Sequence, residues 1–248
     1  MPVEPLAVVT GASAGIGEQI ARALTARGWR CVLLARRRER LERLAAELDA
    51  EFEVCDVADR ARVEEVAARY PEVKLLVCNA GIPGRGRILE QDEETIRRIL
   101  DVDYLGTVWT VRAFLPALER AAPSDIVTIV SVAGTIAMPP ASAYIGAKHA
   151  QLAFSRAIAA ELRPRGLRVH TVNPGFVDTE GFPNRRRLGR FGRFVIEPER
   201  VAEHVLRTLD RDRVETFVPA WYRPAAVLQA LVPGLLARLL ARSRSRRM

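Results

Sequence analysis

A doubly wound, parallel α/β sheet in a single domain is the fold class this sequence predicts. Three observations carry it. Short β-rich runs alternate with helical stretches along most of the 248 residues. Several of those runs are apolar at every position, as strands are when helices cover both faces of their sheet. The first run also enters a glycine-rich turn that opens a helix. With 49% hydrophobic residues the chain can bury one sizeable core.

In chain order the expected strands are Leu6–Val9, Arg30–Leu34, Phe52–Cys55, Leu75–Cys78, Ile126–Val130, Leu167–Val172 and Thr216–Val218. Helices are expected over Glu18–Arg27, the alanine-rich Ala141–Leu162 and Glu199–Leu209. Residues 1–222 read as the domain, with a substrate loop at about 175–197, and residues 223–248 as an apolar helical extension with a basic tail. The stretch Ala225–Leu240 is almost wholly apolar but is broken at Pro233-Gly234, and it is too short for a membrane span. It suits packing on a partner subunit, walling the substrate pocket, or peripheral membrane contact.

Composition narrows the function classes. The net charge of +8 is concentrated late: residues 181–248 hold 15 arginines against 6 acidic residues, whereas residues 1–180 sum to −1. The tail has no aromatic stacking residues, so it fits an anionic membrane surface better than a nucleic-acid groove, and no nucleic-acid partner is expected. Cys31, Cys55 and Cys78 are odd in number and lie in or at the end of apolar runs, as free thiols of a reducing cytoplasm do. The segment Met1–Pro5 is too short for a signal peptide, so a cytoplasmic location is expected. His149, His170 and His204 are dispersed, and no metal site is expected.

The chemistry centres on Ser131 to Lys148. Tyr144 and Lys148 are four apart on the expected helix and share one face. A fixed ammonium beside a phenol favours the phenolate, which makes Tyr144 a candidate general acid/base. A bare Y-x-x-x-K also describes any solvated helix face. Of 38 basic residues, however, only Lys74 and Lys148 are lysine, so position 148 calls for a compact ammonium with rotatable donors.

The turn Thr10-Gly11-Ala12-Ser13-Ala14-Gly15-Ile16-Gly17 follows a strand and opens a helix, an arrangement that offers unpaired N–H groups to a pyrophosphate. At the end of the second strand an acidic residue would suit NAD, but the chain has Arg36-Arg37-Arg38. Arg36 and Arg37, with Ser13, can hold a 2′-phosphate by charge-assisted hydrogen bonds, which favours NADP. Arg38 and Arg40 read as a solvated basic helix start.

These residues together resemble the short-chain dehydrogenase/reductase family over nearly the whole chain. The turn at 10–17 is similar to the family's T-G-x-x-x-G-x-G, with Gly11, Ser13, Gly15, Ile16 and Gly17 at cofactor positions. Asp56-Val57 resembles its adenine-side pair, and Cys78-Asn79-Ala80-Gly81 its N-N-A-G. Ser131 precedes Tyr144 by the usual thirteen residues. Asn173-Pro174-Gly175, with Val177 and Thr179, matches the segment bordering nicotinamide.

The resemblance implies a Rossmann fold, NADP(H) as cofactor, a homodimer or homotetramer, and hydride transfer between a carbonyl and an alcohol substrate. Tyr144 would exchange the proton, Lys148 would hold the nicotinamide ribose, and Ser131 would hold the substrate oxygen. The fourth catalytic position, asparagine in the family, is here Asp103. Ionised aspartate accepts but cannot donate, so reduced or pH-shifted activity is expected.

The substrate loop carries Phe176, Phe182 and a basic run of Arg185, Arg186, Arg187, Arg190 and Arg193. It reads as a solvated loop or as a lid over an anionic substrate such as an acyl thioester. Intact Ser131, Tyr144 and Lys148 favour an enzyme on a lipophilic ketone or aldehyde. The alternatives are a 3-oxoacyl thioester reductase and a non-catalytic NADP sensor or scaffold.

Overall fold

The computed structural model describes residues 4–180 and 189–245. Seven strands form one parallel sheet: β1 (Leu6–Thr10), β2 (Arg30–Ala35), β3 (Glu51–Val54), β4 (Leu75–Cys78), β5 (Ser124–Ile129), β6 (Leu167–Pro174) and β7 (Glu215–Val218), in the order β3-β2-β1-β4-β5-β6-β7. Consecutive side chains of a strand point to opposite faces, and both faces here are covered. Ala7 and Val9 of β1 enter one core with Ile20, Leu24, Leu41 and Val205. Val8 between them enters the other, with Val63, Phe114 and Ile158. That is the physical reason the central strands are apolar at every position.

The first core is closed by α1 (Gly15–Thr25), α2 (Arg38–Leu48) and α7 (Pro198–Asp210), the second by α3 (Arg60–Ala67), α5 (Gly106–Arg120) and α6 (Ser142–Leu162). Helix α4 (Glu93–Leu100), capped by Asp92 accepting from the Thr95 amide at 2.7 Å, runs through a single π turn, Asp101–Leu105, into α5. The chain order reverses between β1 and β4, so the crevice for a ligand opens above their C-terminal ends.

Strand boundaries differ from expectation by a few residues, and one difference matters. β6 continues to Pro174, pairing with Val218 of β7, which anchors the Asn173-Pro174-Gly175 segment to the sheet edge. The extension forms two helices, α8 (Tyr222–Leu231) and α9 (Pro233–Ser245), because Pro233 ends the one and suits the first turn of the next. Tyr222 and Ala226 are buried, whereas Val227, Leu228, Leu231 and Leu235 are exposed. Among the described residues no helix is long and apolar enough to cross a membrane. Cys31, Cys55 and Cys78 are buried free thiols.

Candidate active site

A cleft of about 610 Å³ lies above the C-terminal ends of the central strands. Of the catalytic and cofactor-binding candidates read from the sequence, all but Gly17 line it. Gly17 sits behind the turn, where an added Cβ would come within 2.4 Å of Asn79 Nδ2 and of the Gly11 carbonyl.

Helix α6 brings Tyr144 and Lys148 together one turn apart, with the ammonium 5.7 Å from the phenol ring centre. Ser131 leaves the end of β5, and its Oγ accepts from the Ala133 amide at 3.1 Å, opening a 3-10 turn at Val132–Gly134. That turn lies flat on α6: a Cβ at Gly134 would be 2.8 Å from the Lys148 carbonyl. The Ser131 hydroxyl is thereby brought into hydrogen-bonding contact with the Tyr144 phenol. On the other side Gly84 lets its loop press against Tyr144, whose Cβ would lie 2.9 Å from a Cβ there.

Lys148 is 3% exposed and held by two side chains. Its Nζ donates to Gln151 Oε1 at 2.9 Å, and Gln151 Nε2 donates in turn to Thr107 Oγ1 at 2.8 Å. Asp103 Oδ1 stands 3.0 Å from the same ammonium. The π turn points Asp103 inward, where it is fully buried and its Oδ2 accepts from the Ile82 amide at 3.1 Å. Asp103 and Lys148 thus form a direct buried ion pair. Burial lowers the Lys148 ammonium and Asp103 raises it, with a net shift upward. Burial raises the Asp103 carboxyl against the pull of Lys148. For Tyr144, burial raises the phenol most, Lys148 lowers it, and Asp103 raises it again. Asp103 thus opposes the effect that makes a neighbouring lysine useful.

The glycine turn is built for close backbone approach. Gly11 and Gly15 hold φ of +66° and +61°, and a Cβ at Gly11 would meet the Ala80 backbone at 2.8 Å. Asn79 braces the turn: its Nδ2 donates to the Thr10 and Gly11 carbonyls at 3.0 and 3.3 Å. The buried Thr10 hydroxyl accepts from the Asn79 and Ala80 amides and donates to the Val77 carbonyl. Side-chain-free walls of this kind fit a dinucleotide pyrophosphate at the start of α1.

At the far end of the cleft Arg37 Nε and Nη2 both donate to Ser13 Oγ, at 3.1 and 3.0 Å. Arg36 also lines the cleft, 4.0 Å from Asp56. The Asp56 carboxylate is taken by Arg98 and by the Ala58 amide, which hold it below the usual carboxylate range against its burial. Like Arg98, two further partners went unread in the sequence. Arg40, at the surface as expected, is also paired, with Arg37, to Glu180, and Gln151 fixes Lys148. For Gln151 the signal was present, three residues along the same helix; for Glu180, 140 residues from Arg40, no sequence spacing points to it.

The segment after β6 borders the other wall. Phe176 accepts from and Asp178 donates to the backbone of Ile196, pinning both ends of the substrate loop. Phe182 and Arg185–Arg187 lie outside the described residues, as does the side chain of Arg190; Arg193 stacks over Phe194, 4.7 Å from its ring centre. Among the described residues none beyond Glu180 lines the cleft. The extension instead supports it from below, with Tyr222 packed under Gly175, where a Cβ would stand 2.2 Å from its ring. Trp221 stacks on Tyr222 at 3.8 Å and meets Phe194 at 5.3 Å.

Comparison with known proteins places this geometry. A family model described as short chain dehydrogenase matches residues 5–187. Dehydrogenase/reductase SDR family member 7B of Bos taurus is 32% identical over 264 residues, covering 97% of this chain and 81% of that protein. A short chain dehydrogenase from Burkholderia cenocepacia, solved in complex with NADP, superposes with a TM-score of 0.84 at 28% identity, over 97% of this chain and 99% of that one. An alcohol dehydrogenase from Thermococcus sibiricus, complexed with 5-hydroxy-NADP, gives 0.73 at 32% identity, over 86% and 95%. The match spans the whole sheet and the cleft above it, and the chain belongs to the short-chain dehydrogenase/reductase family, an oxidoreductase acting on CH–OH groups with a nicotinamide cofactor.

Proposed function

We propose that this protein interconverts an alcohol and a ketone or aldehyde on a lipophilic substrate, with NADP(H) as its cofactor. The convergence of Ser131, Tyr144 and Lys148 on one wall of a cleft whose opposite end carries Arg37 and Ser13 supports this reading above all. A bound nicotinamide supplies or accepts the hydride. The Tyr144 phenol gives a proton to the carbonyl oxygen in reduction and takes one from the alcohol in oxidation. Ser131 holds that oxygen beside the phenol. The Lys148 ammonium steadies the tyrosinate, and Asp103 and Gln151 hold the ammonium in place. Ile82, Val132, Ile136, Met138 and Ile145 give the wall around Tyr144 its apolar character, which suits a lipophilic group. A cytoplasmic homo-oligomer belongs to the same proposal.

One observation favours a second reading. The Asp103 carboxylate offsets the charge of Lys148, as a non-catalytic NADP sensor would tolerate. Loss of NADPH absorbance with lipophilic ketones and a 3-oxoacyl thioester separates the two. The enzyme reading expects turnover by the native protein and a fall of about 10²–10⁴-fold in Tyr144→Phe, with NADPH binding retained. Cofactor binding without turnover of any carbonyl in the panel would favour the sensor.

A further inference from the structure

We propose that Glu180 is a specificity-determining residue that competes with the adenosine 2′-phosphate for Arg37 and Arg40, and so limits the preference for NADPH over NADH. The inference rests on the reading of Arg37 and Ser13 as the 2′-phosphate seat. Three guanidinium contacts converge on this one carboxylate. Arg37 Nη1 and Arg40 Nη1 each donate to Oε2 at 2.7 Å, and Arg40 Nη2 reaches Oε1 at 3.3 Å. The remaining donors of Arg37 face Ser13. An anion held by two guanidinia beside a hydroxyl is the chemistry a phosphate monoester asks for.

An ordinary surface ion pair would carry no such meaning. Glu180, however, lines the cleft together with Ser13 and Arg37. Its neighbour Thr179 presses on the glycine turn, where a Cβ at Gly15 would lie 2.9 Å from the Thr179 methyl. The segment leaving β6 therefore passes the glycine turn and sets Glu180 on the arginines. Arg40, then Arg37, hold the Glu180 carboxyl at about 2, so it stays ionised throughout the neutral range. A dianionic 2′-phosphate and this carboxylate need the same donors and repel each other. NADH brings only a 2′-hydroxyl, which leaves Glu180 where it is.

Parallel calorimetric titrations of native protein, Glu180→Gln and Glu180→Ala with NADPH, NADH and adenosine 2′,5′-bisphosphate test the competition. Both variants should bind NADPH and the bisphosphate about fivefold more tightly, with NADH affinity unchanged. Unchanged or weakened NADPH binding, an equal gain for NADH, or a loss confined to NADH would overturn the proposal; the last would make Glu180 a ribose ligand. Failure of the NADP reading itself shows elsewhere, in native protein that binds NADH more tightly and in an Arg37→Met variant that binds NADPH as well as the native chain.

Discussion

The two ends of the cleft use charge in opposite ways. Around Tyr144 the ions are buried: Lys148 and Asp103 are 4% and 0% exposed at their side chains, and both are fixed by neutral partners as well as by each other. Around Ser13 they are at the surface, where Arg37, Arg40 and Glu180 are 43%, 39% and 59% exposed. Water screens the second set and not the first. A buried pair can tune a proton transfer because its field is undiluted, whereas an exposed set can exchange one anion for another because letting go is easy. On the function proposed above, chemistry sits at one end and cofactor selection at the other, matched to what each environment permits.

Breaking the buried end should have the larger consequence. Lys148→Met leaves Asp103 ionisable without its counterion, and equilibrium denaturation should show a loss of about 3–5 kcal/mol, together with loss of turnover. Asp103→Asn is subtler. Asp103 raises the phenol of Tyr144, so removing its charge lowers that phenol, and the limb of the pH–rate profile for alcohol oxidation that needs tyrosinate should move to lower pH. A profile that does not move would leave Asp103 with no part in the titration. At the exposed end, Arg37→Met should weaken NADPH by about ten- to a hundredfold and leave NADH and stability nearly untouched. High salt should shrink that difference, while the position of the Tyr144 limb should hardly respond.

Much of this was legible in the chain because periodicity and local spacing report short-range structure. The uninterrupted apolar runs at 6–9 and 75–78 disclose strands covered on both faces, and the Tyr144–Lys148 spacing discloses a shared helix face. The glycines at 11 and 15 mark backbone that no side chain allows. The Asp103–Lys148 ion pair was not legible, since it depends on a π turn that re-aims Asp103 within an otherwise continuous helix. Arg98 on Asp56 and Arg40 on Glu180 were hidden for a different reason. In a chain with so many arginines, each solvated charge has many candidate partners, and only the fold selects one.

The parallel bridge between Val177 and Ile196 has a consequence for how such a protein changes over generations. Its bonds join backbone to backbone, the Ile196 amide to the Phe176 carbonyl and the Asp178 amide to the Ile196 carbonyl, and so are indifferent to what the intervening residues are. The sequence between Glu180 and Phe194 can be rewritten while Pro174 to Val177 keep their place on the sheet edge and Glu180 keeps its arginines. On the proposed reading of this stretch as the substrate loop, a lineage can vary it without disturbing the backbone bonds that hold the cleft wall.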